Sequence, residues 1–121
     1  MAFNEQLAAR VRDFFSERNI ATMEKRMMGG LCFMVDDKMC VGVESDRLMV
    51  RLDPEIYETA LTRKGCQPMD FTGRPMKGFV FVTEEGFKAK RDLTHWLDLA
   101  LEFNPRAKSS RKKKAKAATA G

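Results

Sequence analysis

The sequence predicts an α+β fold: a two-layer α/β domain in which an antiparallel sheet of five or six strands carries three helices, in the order α-β(meander)-α-β-β-α. Three observations predict it. Apolar residues recur at helical spacing near the start of the chain and again near residue 100. The segment 22–52 between them is cut into strand-length pieces, and two independent tight turns place those pieces in one register.

Asn4 is a good N-cap, Glu5 follows in the first turn, and Leu7, Val11, Phe14 and Phe15 form a stripe, which predicts a helix over about 4–18. Strands are expected at 23–28, 31–35, 38–44 and 47–52, punctuated by Gly29-Gly30, Asp36-Asp37 and Ser45-Asp46. Asp53-Pro54-Glu55 supplies an N-cap, a proline at the first helical position and an acid in the first turn. That second helix is expected to run to about Arg63 and to stop at Lys64-Gly65. The stretch Gln67 to Gly78 is rich in proline and glycine, with a short extended piece around Met69–Phe71 and the turn Thr72-Gly73-Arg74-Pro75. Phe79–Val82 reads as a strand, and a last helix over about 90–103 carries Leu93, Trp96, Leu97, Ala100 and Leu101 on one face before Pro105.

The turns fix an expected pairing. With Asp36-Asp37 as a two-residue turn, Val35 faces Lys38, Met34 faces Met39 and Cys32 faces Val41. With Ser45-Asp46 as the next, Val43 faces Leu48, Val41 faces Val50 and Met39 faces Leu52. One face then collects Cys32, Met34, Met39, Val41, Val43, Leu48, Val50 and Leu52 without a charge, so it is expected to carry the helices. The other face collects Lys38, Gly42, Glu44, Arg47 and Arg51 together with Leu31, Phe33, Val35, Cys40 and Met49, which are too apolar for free solvation. Two kinds of cover stay open: a second copy of the chain, giving a homodimer, which is preferred, or the C-terminal hairpin or the segment 64–77 folded over it.

Charge divides the chain. The net charge is +5, from 22 basic and 17 acidic residues. From Pro105 onward the sequence holds Arg106, Lys108, Arg111, Lys112, Lys113, Lys114 and Lys116 and no acid, which leaves 15 basic against 17 acidic residues in 1–104. The pI near 9.3 therefore belongs to the tail. Lacking any apolar residue larger than alanine, 105–121 reads as a disordered basic tail beside one domain at 1–104. It reads either as an arm for nonspecific contact with nucleic acid or as a solubilising extension.

Chemistry finds little to work with. His95 is the single histidine, so no imidazole pair or His-rich metal set exists, and no catalytic residue, metal or cofactor is expected. Three cysteines without a C-x-x-C spacing fit a reducing cytoplasm, and Cys66, in an expected loop, is the best candidate for a modifiable thiol. No apolar run is long enough to cross a membrane, and the first residues lack a secretory pattern. Gly29-Gly30, beside Lys25 and Arg26, reads as a tight turn or an anion contact. The loop 72–78 offers Arg74 and Lys77 to a partner, and Phe33 is an aromatic on the expected non-core face. The candidate partner-binding residues are thus Arg26, Phe33, Arg74 and Lys77.

Four strings in order carry a family resemblance: Glu24-Lys25-Arg26-Met27-Met28-Gly29-Gly30-Leu31, then Asp46 to Arg51, then Met69-Asp70-Phe71-Thr72-Gly73-Arg74-Pro75-Met76-Lys77-Gly78-Phe79-Val80, then Leu93-x-x-Trp96-x-x-x-Ala100. Over about residues 5–104 the chain resembles the TfoX/Sxy N-terminal domain family, named for regulators of natural competence. The resemblance implies an antiparallel sheet in a fold similar to secretion chaperones, and no catalytic residues or cofactor. It departs from the regulators in lacking their second helical domain, with a basic tail in its place, and in carrying Asp36-Asp37 where Asp-Gly is frequent. The expected function is a non-enzymatic regulatory or protein-interaction module near transcription, with a transcription-related protein as partner. The alternative is nonspecific binding of DNA or RNA through the tail.

Overall fold

Helix α1 spans Glu5–Glu17, and Asn4 caps it by accepting from the Gln6 and Leu7 N–H groups at 2.8 and 3.1 Å. This computed structural model describes residues 3–27, 29–69 and 76–107. Four strands follow: β1 (Met23–Met27), β2 (Gly30–Val35), β3 (Lys38–Glu44) and β4 (Arg47–Arg51). A 3-10 turn at Pro54–Ile56 leads into α2 (Tyr57–Ala60). Then come β5 (Cys66–Pro68), β6 (Phe79–Val82), α3 (Glu84–Phe87), α4 (Lys90–Phe103) and a closing 3-10 turn at Asn104–Arg106. The class is α+β, with a six-stranded antiparallel sheet in the order β1-β2-β3-β4-β6-β5.

Three elements differ from expectation. The second helix keeps its start, since Asp53 accepts from the Glu55 N–H at 2.9 Å, but it ends at Ala60. Turns carry the chain from there to Gly65, where glycine is required: a Cβ would lie 2.8 Å from the Gly86 nitrogen, and its φ is +81°. A short strand lies at Cys66–Pro68 on the sheet edge, where Pro68, paired with Val80 but lacking an N–H, is tolerated; most of the piece expected around Met69–Phe71 lies outside the described residues. A single helical turn, α3, was too short to carry a periodic signal. It braces α4, because the Trp96 indole Nε1–H donates to the Gly86 carbonyl at 3.2 Å.

The sheet register contains the main correction. Asp36 and Asp37 both adopt left-handed φ, 56° and 65°, so the tight turn is as expected, and Val35 faces Lys38 and Met34 faces Met39. The next pair is Phe33 with Val41, so Cys40 has no partner on β2. This bulge reverses the phase of β2 against β3. Cys32 pairs with Gly42, not Val41, and Leu31 pairs with Val43.

Phe33 therefore lies beneath the helices, fully buried at 0 % exposure and stacked on Phe15 with ring centroids 6.1 Å apart. It is withdrawn as a partner-binding aromatic. Leu31, Val41, Val43, Leu48, Val50, Val80 and Val82 share this face with Phe15 of α1 and Trp96 and Leu97 of α4. Cys40 belongs to this cluster as well, although alternation placed it on the other face.

Cys32, Met34, Met39, Met49, Met69 and Phe81 form a second buried cluster on the opposite face, with Met27 and Phe79 half-buried beside it. Cys32, Met34 and Met39 were expected under the helices; the bulge moves them here. Met69, from the segment 64–77, is fully buried in this cluster, so one of the expected covers contributes to this face.

The described chain also runs past residue 104. Asn104 is buried and donates to the Val35 carbonyl at 3.3 Å, and Lys38 Nζ donates to the Asn104 carbonyl at 3.1 Å. A lysine thus sits at the carbonyl end of α4, where positive charge is favoured. Replacing Phe33 by Ala is expected to cost about 3–5 kcal/mol in urea unfolding, because it empties a fully buried aromatic site. Met23→Ala, at a residue 59 % exposed, is expected to stay within about 0.5 kcal/mol.

Candidate functional site

Residues far apart in sequence meet at the end of β4. Arg51 closes that strand opposite Phe79 of β6, and its guanidinium lies 5.3 Å from the Phe79 ring centroid. Lys77 sits in the turn entering β6, held close to β4 because the Leu52 N–H donates to the Gly78 carbonyl at 2.8 Å. Gly78 needs its left-handed φ of +91° there. The closing turn after α4 delivers Arg106, whose guanidinium lies 5.3 Å from the Phe103 ring centroid and bonds Asp53 at 2.8 Å. Together these groups line a cleft of about 240 Å³ with Leu52 and Pro54.

The lining holds three cations and no carboxylate. Their environments differ. Burial lowers the Arg51 pKa, and the only group opposing that is the Cys40 thiol. Arg106 is raised, first by its hydrogen bond to Asp53 and then by Asp53, Glu102 and Glu55 as nearby charges. Asp53 is correspondingly lowered by Arg106 and by the Glu55 N–H. Arg106 is therefore already paired with a carboxylate. Arg51 and Lys77 have no acidic partner among the described residues.

The candidates read from the sequence separate cleanly. Lys77 and Arg106, singled out for different reasons, line the same cleft. Arg26 lies on the edge strand β1, exposed, 5.6 Å from the Phe3 ring centroid, and does not line it. Arg74, Lys108, Arg111, Lys112, Lys113, Lys114 and Lys116 lie outside the described residues. Gly29 forms a turn at φ +78°, and Gly30 is needed for packing, since a Cβ there would fall 2.1 Å from the Val43 carbonyl oxygen. Arg51 was missed as a site residue. Its position on the non-helix face at a strand end, two residues before the Asp53 cap, was the available signal.

A larger groove of about 490 Å³ runs between α1 and α4, but Arg10, Arg18 and Lys90 alternate there with Asp13 and Glu17, so it has no preferred ligand charge. His95 is half-buried and meets the Trp96 ring edge-on at 5.7 Å; burial and then Arg63 lower its pKa. Among the described residues no group of three His, Cys, Asp or Glu side chains could hold a metal ion, and no helix is long and apolar enough to cross a membrane.

Residues 18–104 match the family model of the TfoX N-terminal domain, about seven-tenths of the chain. The chain belongs to the TfoX N-terminal domain family. No curated protein and no solved structure matched it. The matched span of this TfoX N-terminal domain contains the whole sheet, α4, Arg51 and Lys77, while Arg106 lies two residues beyond it.

All three thiols are free, and burial pushes Cys32 and Cys66 up to about 11 and Cys40 up to about 12. Cys66, half-buried on β5, is thus a poor nucleophile at neutral pH. Iodoacetamide labelling of the native domain at pH 7.5 is expected to be slow at every cysteine and to rise at Cys66 as pH approaches 10. Because the folded thiols resist ionisation, their contribution to stability is full below about pH 9 and is lost as pH rises towards 11. Rapid native labelling of Cys66 at pH 7.5 would contradict this assignment.

Proposed function

We propose that this TfoX N-terminal domain protein is a non-enzymatic regulatory module that acts near transcription by contacting a transcription-related protein. The observation that carries the reading is the family match across the sheet and α4. The cleft at the end of β4 supports it, because it gathers cations and half-buried aromatic rings without a nucleophile or an acid–base pair. Three unpaired thiols fit a reducing cytoplasm as its place of action. Deleting the gene is expected to change the abundance of a defined set of transcripts, with restoration by the full chain. An unchanged transcript profile under conditions where the protein is made would contradict the reading.

A second reading has its own observation. Seven basic residues and no acid follow residue 104, a composition suited to phosphate contact. On this reading the tail holds the module near DNA or RNA. If about five tail charges engage duplex phosphates, log K falls against log salt with a slope of about −4 to −5 in fluorescence-anisotropy titration of the full chain. Changing Lys108, Arg111, Lys112, Lys113, Lys114 and Lys116 to Gln is expected to abolish that binding, whereas retained binding would place the affinity elsewhere.

A further inference from the structure

We infer that the cleft formed by Arg51, Lys77, Phe79 and Phe103 seats an acidic segment of a partner protein, with a carboxylate between Arg51 and Lys77 and an apolar side chain against the rings. This rests on the protein-interaction reading and names the chemistry of the partner at its site.

Four observations carry it. Arg51 is half-buried, yet its guanidinium has a ring face for company and no acidic partner among the described residues. A guanidinium held in place and partly desolvated presents its donors ready for a carboxylate, so little ordering cost remains at binding. Lys77 adds a second cation from a separate segment of chain, and the lining contains no carboxylate. The volume, about 240 Å³, suits one or two side chains. Phe79 and Phe103 are half-buried, which leaves apolar wall beside the charges.

The surroundings favour a peptide over a nucleic-acid strand. Asp53, Glu55 and Glu102 surround Arg106 on one side of the cleft, and residues 1–104 are net negative. A polyanion with a charge on every nucleotide would be forced past those carboxylates. An acidic peptide places one or two charges at Arg51 and Lys77 and avoids them. The basic sequence that begins at Lys108, two residues after Arg106, would speed the approach of such a partner without defining its seat.

The test is fluorescence anisotropy with the full chain and two probes at matched ionic strength. One is a labelled peptide Glu-Asp-Phe-Glu-Asp-Leu-Glu, the other a labelled twelve-nucleotide oligothymidylate. Arg51→Gln and Lys77→Gln are each expected to weaken peptide binding about five- to tenfold while changing oligothymidylate binding less than twofold. Lys77 is exposed in a turn, so K77Q keeps the test alive if R51Q fails to fold. Absence of peptide binding by the full chain, or unchanged affinity in both variants, would overturn the inference and leave the transcript test of the function standing. An equal or greater loss of oligothymidylate binding in the two variants would assign the cleft to nucleic acid.

Discussion

One extra residue in β3 organises the rest of the molecule. Cys40 has no partner on β2, and from that point the pairing shifts so that Phe33 faces Val41. Without the bulge, Cys32 and Met34 would lie beneath the helices and Phe33 would face away from them. With it, Phe33 stacks on Phe15 of α1, and the smaller or more flexible Cys32, Met34 and Met39 line the other side. Bulky aromatic packing holds the helices, and methionines fill the irregular space under the segment that contributes Met69. Each face of the central strands thereby carries a buried cluster.

That double burial decides where a function can sit. With a buried cluster on each side of the sheet, Met23 is the one exposed large hydrophobic residue among those described. The available chemistry moves to the sheet's end, where β4, the turn before β6 and the turn after α4 meet. Their register is set by ordinary contacts: Arg51 opposite Phe79, the Leu52 N–H on the Gly78 carbonyl, and Asp53 serving both as helix cap and as partner of Arg106. Asp53 is economical in this respect, since one carboxylate orders a helix start and fixes the C-terminal turn beside the cleft.

Much of this was legible because caps and turns are local. Asn4, Asp36-Asp37, Asp53-Pro54 and the Leu93–Trp96–Leu97–Ala100 stripe each announce an element through chemistry within a few residues. The bulge was not legible. Alternation assumes a strict period of two, and nothing in Met39-Cys40-Val41 states which residue is skipped. Its error propagated to the whole of β2 while leaving Val41, Val43, Leu48, Val50 and Leu52 correctly beneath the helices. The cleft was half legible: Lys77 and Arg106 stood out as loop and tail cations, whereas their meeting with Arg51 depends on the insertion of β6 between β4 and β5.

The bulge at Cys40 is the claim on which the account turns, and proton NMR contacts of Phe33 test it most directly. Cross-peaks from the Phe33 ring to Phe15 and Val41 are predicted. Cross-peaks from that ring to the Met49 and Met69 methyl groups would place Phe33 on the other face and contradict the account.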